Sequence, residues 1–183
     1  MYIMKRILFG FAIMAAAATM ASCGNKTAQN NEGQDSATTE APIAEVATSA
    51  IAETIDKAGY TIGLPEGWAV MSADDEECFI YKGDKAKPSE AISGTWVVLK
   101  RGSLEGKTFD AAVQEMVKEM GAKQLDDVTI GGRTYKHCSC IEDGVESRIL
   151  VTVYDKGVLS FMMGGTTPDD ADVQAIIGSL KVK

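Results

Sequence analysis

Asp127-Val-Thr-Ile130, Arg133-Thr-Tyr-Lys-His-Cys-Ser-Cys-Ile141, Ser147-Arg-Ile-Leu-Val-Thr-Val-Tyr154 and Val158-Leu-Ser-Phe-Met-Met-Gly164 decide how this chain folds. Each run is rich in β-branched and aromatic residues, and each is bounded by turn residues: Gly131-Gly132, Asp143-Gly144 and Asp155-Lys156-Gly157. Such runs read as strands, and links this short make consecutive strands antiparallel. The Gly131-Gly132 pair fits a two-residue primed turn, because glycine reaches positive φ without steric cost. The reading is a four-stranded meander.

Upstream of the meander the period changes. Phe109, Ala112, Val113, Met116, Val117 and Met120 recur at three- and four-residue spacing, which predicts a helix with one apolar face. Thr108 is its candidate N-cap, Asp110 favours its first turn and Gly121 stops it. Further upstream, Tyr60–Leu64, Cys78–Lys82 and Thr95–Arg101 read as strands. Downstream, Pro168 opens a closing helix with Thr167 as cap, Asp170 completing a capping box and Val173, Ile176, Ile177 and Leu180 as the buried stripe. Residues 59–183 are therefore expected to form an α+β domain, an antiparallel sheet with packed helices.

Several local motifs add to this. A strand closed by Leu64-Pro65-Glu66-Gly67-Trp68, a middle helix, the Gly131-Gly132 hairpin, a long meander and a closing helix ending Ile176-Ile-Gly-Ser-Leu180 together resemble the PsbP-like fold, an α-β-α sandwich. The resemblance spans about residues 59–183. It implies a domain that acts by binding other proteins, since that superfamily includes photosystem assembly subunits, a Ran-binding protein, secretion-associated chaperones and many bacterial lipoproteins. None of their contact residues maps onto a position of this chain.

Residues 1–22 carry an address. Lys5 and Arg6 precede the apolar run Ile7–Ala18, which gives way to Thr19-Met-Ala-Ser-Cys23, the order of a secretory signal peptide. The run is shorter than the roughly 20 apolar residues a spanning helix needs. Met20-Ala21-Ser22-Cys23 resembles the lipobox of bacterial lipoproteins, which implies cleavage before Cys23 and acylation of its thiol. Acyl chains contribute about 0.8 kcal/mol per buried CH₂, so several of them hold a domain at a bilayer. Gly24 in place of Asp favours the outer membrane, and the lack of an acidic cluster after Cys23 favours the periplasmic side. From Cys23 to residue 42 no apolar side chain exceeds Cys, Ala or Pro, the composition of a flexible tether with a reach of roughly 25 Å. In residues 43–58, Ile43, Val46, Ala47, Ala50, Ile51 and Ile55 have helical spacing. The segment is expected to be an amphipathic helix docked on the domain or an Ala-rich extension of the tether.

Composition limits the chemistry. The net charge of −8 becomes −10 when Lys5 and Arg6 leave with the signal, which disfavours nucleic acid and anionic lipid surfaces as partners. His137, the single His, neighbours Cys138 on one strand, where adjacent side chains point to opposite faces. A Cys–His nucleophile pair is not expected there. Gly-x-Ser-x-Gly, His-Glu-x-x-His and Gly-x-x-x-x-Gly-Lys-Ser/Thr are all absent, so no catalytic residue and no organic cofactor is expected. Asp74-Asp75-Glu76-Glu77 lacks calcium-loop spacing and reads as a solvated loop.

Three thiols remain once Cys23 is acylated. Cys138 and Cys140 share one strand face with α-carbons about 6.6–6.8 Å apart, the upper limit for a bridge, so a disulfide would join Cys78 to one of them. The alternatives are three free buried thiols, or a soft-metal site of Cys138 and Cys140 with Met162 or His137, since thiolate and thioether suit Cu(I). Met116 and Met120 are assigned to the helix stripe. Two functions follow as expectations. The first is a tethered, non-catalytic module that binds an envelope protein; the alternative is a small-ligand or copper carrier using Cys138 and Cys140.

Overall fold

A computed structural model of the chain describes residues 48–88, 94–142, 144–155 and 157–183. In chain order its elements are β1 (Ile51–Asp56), β2 (Tyr60–Pro65), β3 (Trp68–Ala73), β4 (Glu77–Lys82), β5 (Trp96–Ser103), α1 (Phe109–Glu119), β6 (Lys123–Gln124), β7 (Val128–Ile130), β8 (Arg133–Glu142), β9 (Val145–Tyr154), β10 (Gly157–Gly164), α2 (Ala171–Gly178) and β11 (Lys181–Val182). Eight strands form one sheet in the order β3-β4-β5-β10-β9-β8-β6, with β7 also pairing β8; a second sheet runs β1-β2-β11. Every pairing is antiparallel. The expected α+β architecture is thus the observed one.

Alternation along the strands sorts most buried side chains into two cores, with Ala69 and Tyr81 forming a small third cluster. One row crosses the large sheet through Cys78, Leu99, Phe161, Leu150 and His137; its neighbour crosses the opposite face through Phe79, Val98, Met162, Ile149 and Cys138. The first face packs Cys78, Ile80, Leu99, Leu150 and Phe161 under Ile62 and Leu64 of β2 and Val173, Ile176 and Ile177 of α2. The second packs Cys138, Cys140, Ile149 and Val151 under Val113 of α1, with Phe109, Met116, Val117 and Met120 beside it. The large sheet is therefore covered on both faces, by the small sheet and α2 on one and by α1 on the other.

Local signals place both helices. Thr108 accepts the Ala111 amide at 3.3 Å as the N-cap of α1, and Gly121 ends the helix at φ 58°. In α2 the cap is Asp170 rather than Thr167. Its carboxylate accepts the Asp172 and Val173 amides, and the Asp170 amide itself donates to the Thr167 carbonyl, so the turn from Thr167 precedes the helix instead of opening it. A carboxylate satisfies two orphan amides and complements the helix dipole, which a hydroxyl three residues earlier does not.

The expectation of a helix or tether over residues 43–58 is corrected: Ile51–Asp56 is strand β1, paired with β2 from Pro65 back to Thr61. Residues 43–47 lie outside the described residues. Six residues gain more from pairing their backbone groups with a buried neighbour than from one and a half turns of isolated helix. Ile55 faces the first core, while Ile51 is 41% exposed. The domain therefore begins at β1 or before it, not at Gly59.

Ser49, just before β1, is fixed to α2. Its amide donates to the Ala171 carbonyl and its hydroxyl to Asp172. The same carboxylate accepts Trp68 Nε1 at 2.9 Å and Lys82 Nζ at 2.8 Å. Burial alone would raise the Asp172 carboxyl, but the bonds from Lys82, Ser49 and Trp68 hold it down at about 2. One side chain thus ties together the segment before β1, β3, β4 and α2.

Two measurements test this packing. The Gly131-Gly132 turn has φ of 58° and 75°, and a Cβ on Gly131 would stand 2.8 Å from the Gly178 α-carbon, whereas one on Gly132 would meet nothing within 4 Å. Gly132→Ala is expected to cost about 1 kcal/mol of unfolding free energy from the left-handed backbone alone, and Gly131→Ala clearly more, because backbone must also move. Asp172→Ala is expected to lower stability by about 2 kcal/mol at neutral pH, read as a shifted urea midpoint. The carboxyl is depressed from 3.8, so its contribution is fully present above that pH and fades toward pH 2. The gap between wild type and variant should close over that window.

Candidate functional site

The residues singled out from the sequence converge on β8 and the strands beside it, and alternation divides them. Cys138 and Cys140 point toward α1, with side chains 0% and 5% exposed. His137 stands on the opposite face, across from Leu150 on β9. Burial and the nearby Arg148 guanidinium both push the imidazole below its ordinary value, with the Asp126 backbone acting in the other direction. Its Nε2 is buried without a hydrogen-bond partner. As expected from alternation, His137 and Cys138 stand on opposite faces of the sheet.

The expected disulfide from Cys78 to Cys138 or Cys140 is corrected. Cys78 is on β4 and faces the α2 core, whereas Cys138 and Cys140 are on β8 and face α1. Four strand spacings separate β4 from β8, roughly 19 Å at about 4.8 Å each, with the sheet itself between the thiols. A bridge needs α-carbons within about 7 Å. All three cysteines are buried, and no disulfide joins any of them. Desolvation raises the Cys78 thiol, partly offset by its contact with the Tyr60 hydroxyl, and desolvation together with Cys140 raises Cys138.

The soft-metal set is also changed. His137 cannot join Cys138 and Cys140, because the sheet lies between them. Met162 shares their face but sits two strands away, with Ile149 between it and Cys138 in the row. Among the described residues no three His, Cys, Asp or Glu side chains gather as a metal-binding group. Asp74 closes its own turn, accepting the Glu76 and Glu77 amides at 2.8 and 2.7 Å.

The β8–β9 hairpin carries a different feature. Ile141 is 75% exposed, Val145 54% and Val153 44%, and these are three of the four large hydrophobic side chains exposed among the described residues. β6 pairs only with Cys138 and Ser139, so the outer edge of β8 beyond Ser139 has no strand beside it among the described residues. The open edge coincides with Ile141 and Val145 at the turn end of the hairpin, whereas Val153 lies at the other end of β9, across from Val158. The strand pattern hinted at this, since Ile141 and Val145 flank the Asp143-Gly144 turn, but only the length of β6 shows where the edge opens.

Sequence reasoning missed two interactions that hold this scaffold. One is the Asp172 cluster. The other is Arg101, whose guanidinium lies 5.0 Å over the Tyr154 ring and donates to the Asp75 carbonyl at 2.9 Å. A Cβ on Gly59 would stand 1.6 Å from that guanidinium, so glycine is the residue that lets the arginine lie there. Neither has a sequence signal, because partners lie 26 to 123 positions apart. Cys23, the expected acylation site, lies outside the described residues.

No helix among the described residues is long and apolar enough to cross a membrane. No protein-family model and no curated protein matches the chain. Solved structures similar to it include a protein of Bacteroides thetaiotaomicron VPI-5482, 16% identical with a TM-score of 0.44 over 68% of this chain and 45% of that one. They also include the cyanobacterial PsbP of Synechocystis, 13% identical with a TM-score of 0.43 over 72% of this chain and 92% of that one. A third is LpqN of Mycobacterium tuberculosis, a protein involved in cell envelope biogenesis, 15% identical with a TM-score of 0.34 over 61% and 75% of the two chains. The chain spans under half the length of the Bacteroides protein. The α+β architecture itself rests on the strand pairing described above.

Proposed function

We propose that this chain is a lipoprotein of the bacterial cell envelope, anchored through acylated Cys23 in the outer membrane and facing the periplasm. Its α+β domain acts there as a non-catalytic docking module for another envelope protein. The observation that carries the docking is the turn end of the β8–β9 hairpin, where Ile141 and Val145 stand exposed, one on each face, beside the open edge of β8. An extended segment of a partner can add to such an edge through backbone hydrogen bonds, while the apolar side chains give it surface to bury. Burying that surface returns about 25 cal/mol per Å², which a monomer gives up by leaving it wet. The tether from Cys23 to residue 42 lets the domain search near the bilayer, and the acidic chain keeps it from adhering to anionic lipid.

Two variants test the two halves separately. Cys23→Ser is expected to abolish incorporation of labelled palmitate and release the protein from the membrane pellet; labelling at the wild-type level would overturn the anchor. Ile141→Asp with Val145→Asp, both on exposed positions, is expected to leave the melting temperature within a few degrees and to reduce partner recovery after in-cell crosslinking at least tenfold. Undiminished recovery of the same partner would overturn the docking surface.

A further inference from the structure

The core beneath α1 has an unusual donor chemistry. Among the described residues, Cys138 and Cys140 are the two β8 positions buried on that face, and Met116, Met120 and Met162 pack against the same cluster. Met116 and Met120 lie four residues apart, on one face of the last turn and cap of α1. The chain then returns at once to β8: the Ala122 amide donates to Val117, and Lys123 and Gln124 pair with Ser139 and Cys138. This short connection carries the chain from Met120 to the edge of the strand that holds both thiols within four residues, and Met116 and Met120 pack in the same cluster as Cys138 and Cys140. Sequence spacing assigned Met116 and Met120 to a core stripe; the packing adds that this stripe shares one cluster with Cys138 and Cys140.

We propose that the interface between the end of α1 and β8 binds a single Cu(I) ion, held by the sulfurs of Cys138 and Cys140 and completed by the thioethers of Met116 and Met120. Soft, polarisable sulfur donors in an apolar setting suit a soft monovalent ion and disfavour hard, oxygen-seeking cations. The thiols are buried, whereas Met116 and Met120 are only half-buried, so the thioethers form the side from which an ion arrives. As Cu(I) binds, each thiol passes its proton to water. One Cu⁺ replaces two protons, leaving a bis-thiolate centre with one net negative charge and no change of oxidation state. The site does not depend on the hairpin or on a protein partner, so it stands or falls apart from the docking function.

The test is an anaerobic titration of the full chain in detergent with Cu(I) held by a chromophoric chelator, together with X-ray absorption at the copper edge. The expected result is about one tightly held equivalent with a sulfur-only first shell. Cys138→Ala with Cys140→Ala should abolish it, Met120→Leu should weaken it roughly tenfold, and Cys78→Ala, on the other face of the sheet, should leave it unchanged. Copper lost entirely to the chelator would overturn the site, as would a full equivalent retained by the Cys138→Ala, Cys140→Ala variant. A first shell containing nitrogen or oxygen would overturn it in the wild type, whether or not any variant folds.

Discussion

Everything in this domain follows from a sheet that is buried on both faces and therefore reads every strand residue by parity. A residue on β4, β5, β10, β9 or β8 faces either the α2 side or the α1 side of the sheet, and a one-residue slip would exchange the two. The rows are consistent across five strands: Cys78, Leu99, Phe161, Leu150 and His137 on one face, Phe79, Val98, Met162, Ile149 and Cys138 on the other. Register is strongly specified because slipping would bring Lys100 and Lys136, which sit on the α1 face, into the α2 core. It is this parity that parts His137 from Cys138, parts Cys78 from the other two thiols, and brings Cys138 and Cys140 together under one helix.

What could be read in advance was what local chemistry determines. The meander was legible because β-branched and aromatic runs alternate with Gly-containing links, and α1 was legible because its stripe, Thr108 cap and Gly121 stop agree. Segment 51–56 misled because Ile51 and Ile55 satisfy helical spacing while Ile51, Glu53 and Ile55 equally satisfy strand spacing; β2, a distant partner, decides between them. Strand β3 was overlooked because Trp68 directly follows the Glu66-Gly67 turn, where the chain leaves the small sheet for the large one. Two-residue strands such as β6 and β11 have no period to detect.

The site was legible in its residues but not in its geometry. Alternation along β8 placed His137 and Cys138 on opposite faces in advance. The proposed bridge from Cys78 failed because neither sheet order nor face across five strands can be read from spacing in one strand. The same ignorance hid the meeting of Met116 and Met120 with the two thiols, and the open edge at Ile141. Long-range polar contacts were invisible for the same reason. Asp172 joins Ser49, Trp68 and Lys82, and holds the segment before β1 against α2.

The assignment of thiols to faces is the claim on which both the corrected chemistry and the copper site rest, and it is accessible to one mass measurement. The purified chain is unfolded without reductant, alkylated and digested, and the masses of the peptides carrying residues 78, 138 and 140 are read. The two-faced sheet predicts all three cysteines alkylated and no peptide pair joined. A peptide carrying Cys78 linked to one carrying Cys138 or Cys140 would contradict it, because no register of this sheet brings those sulfurs together.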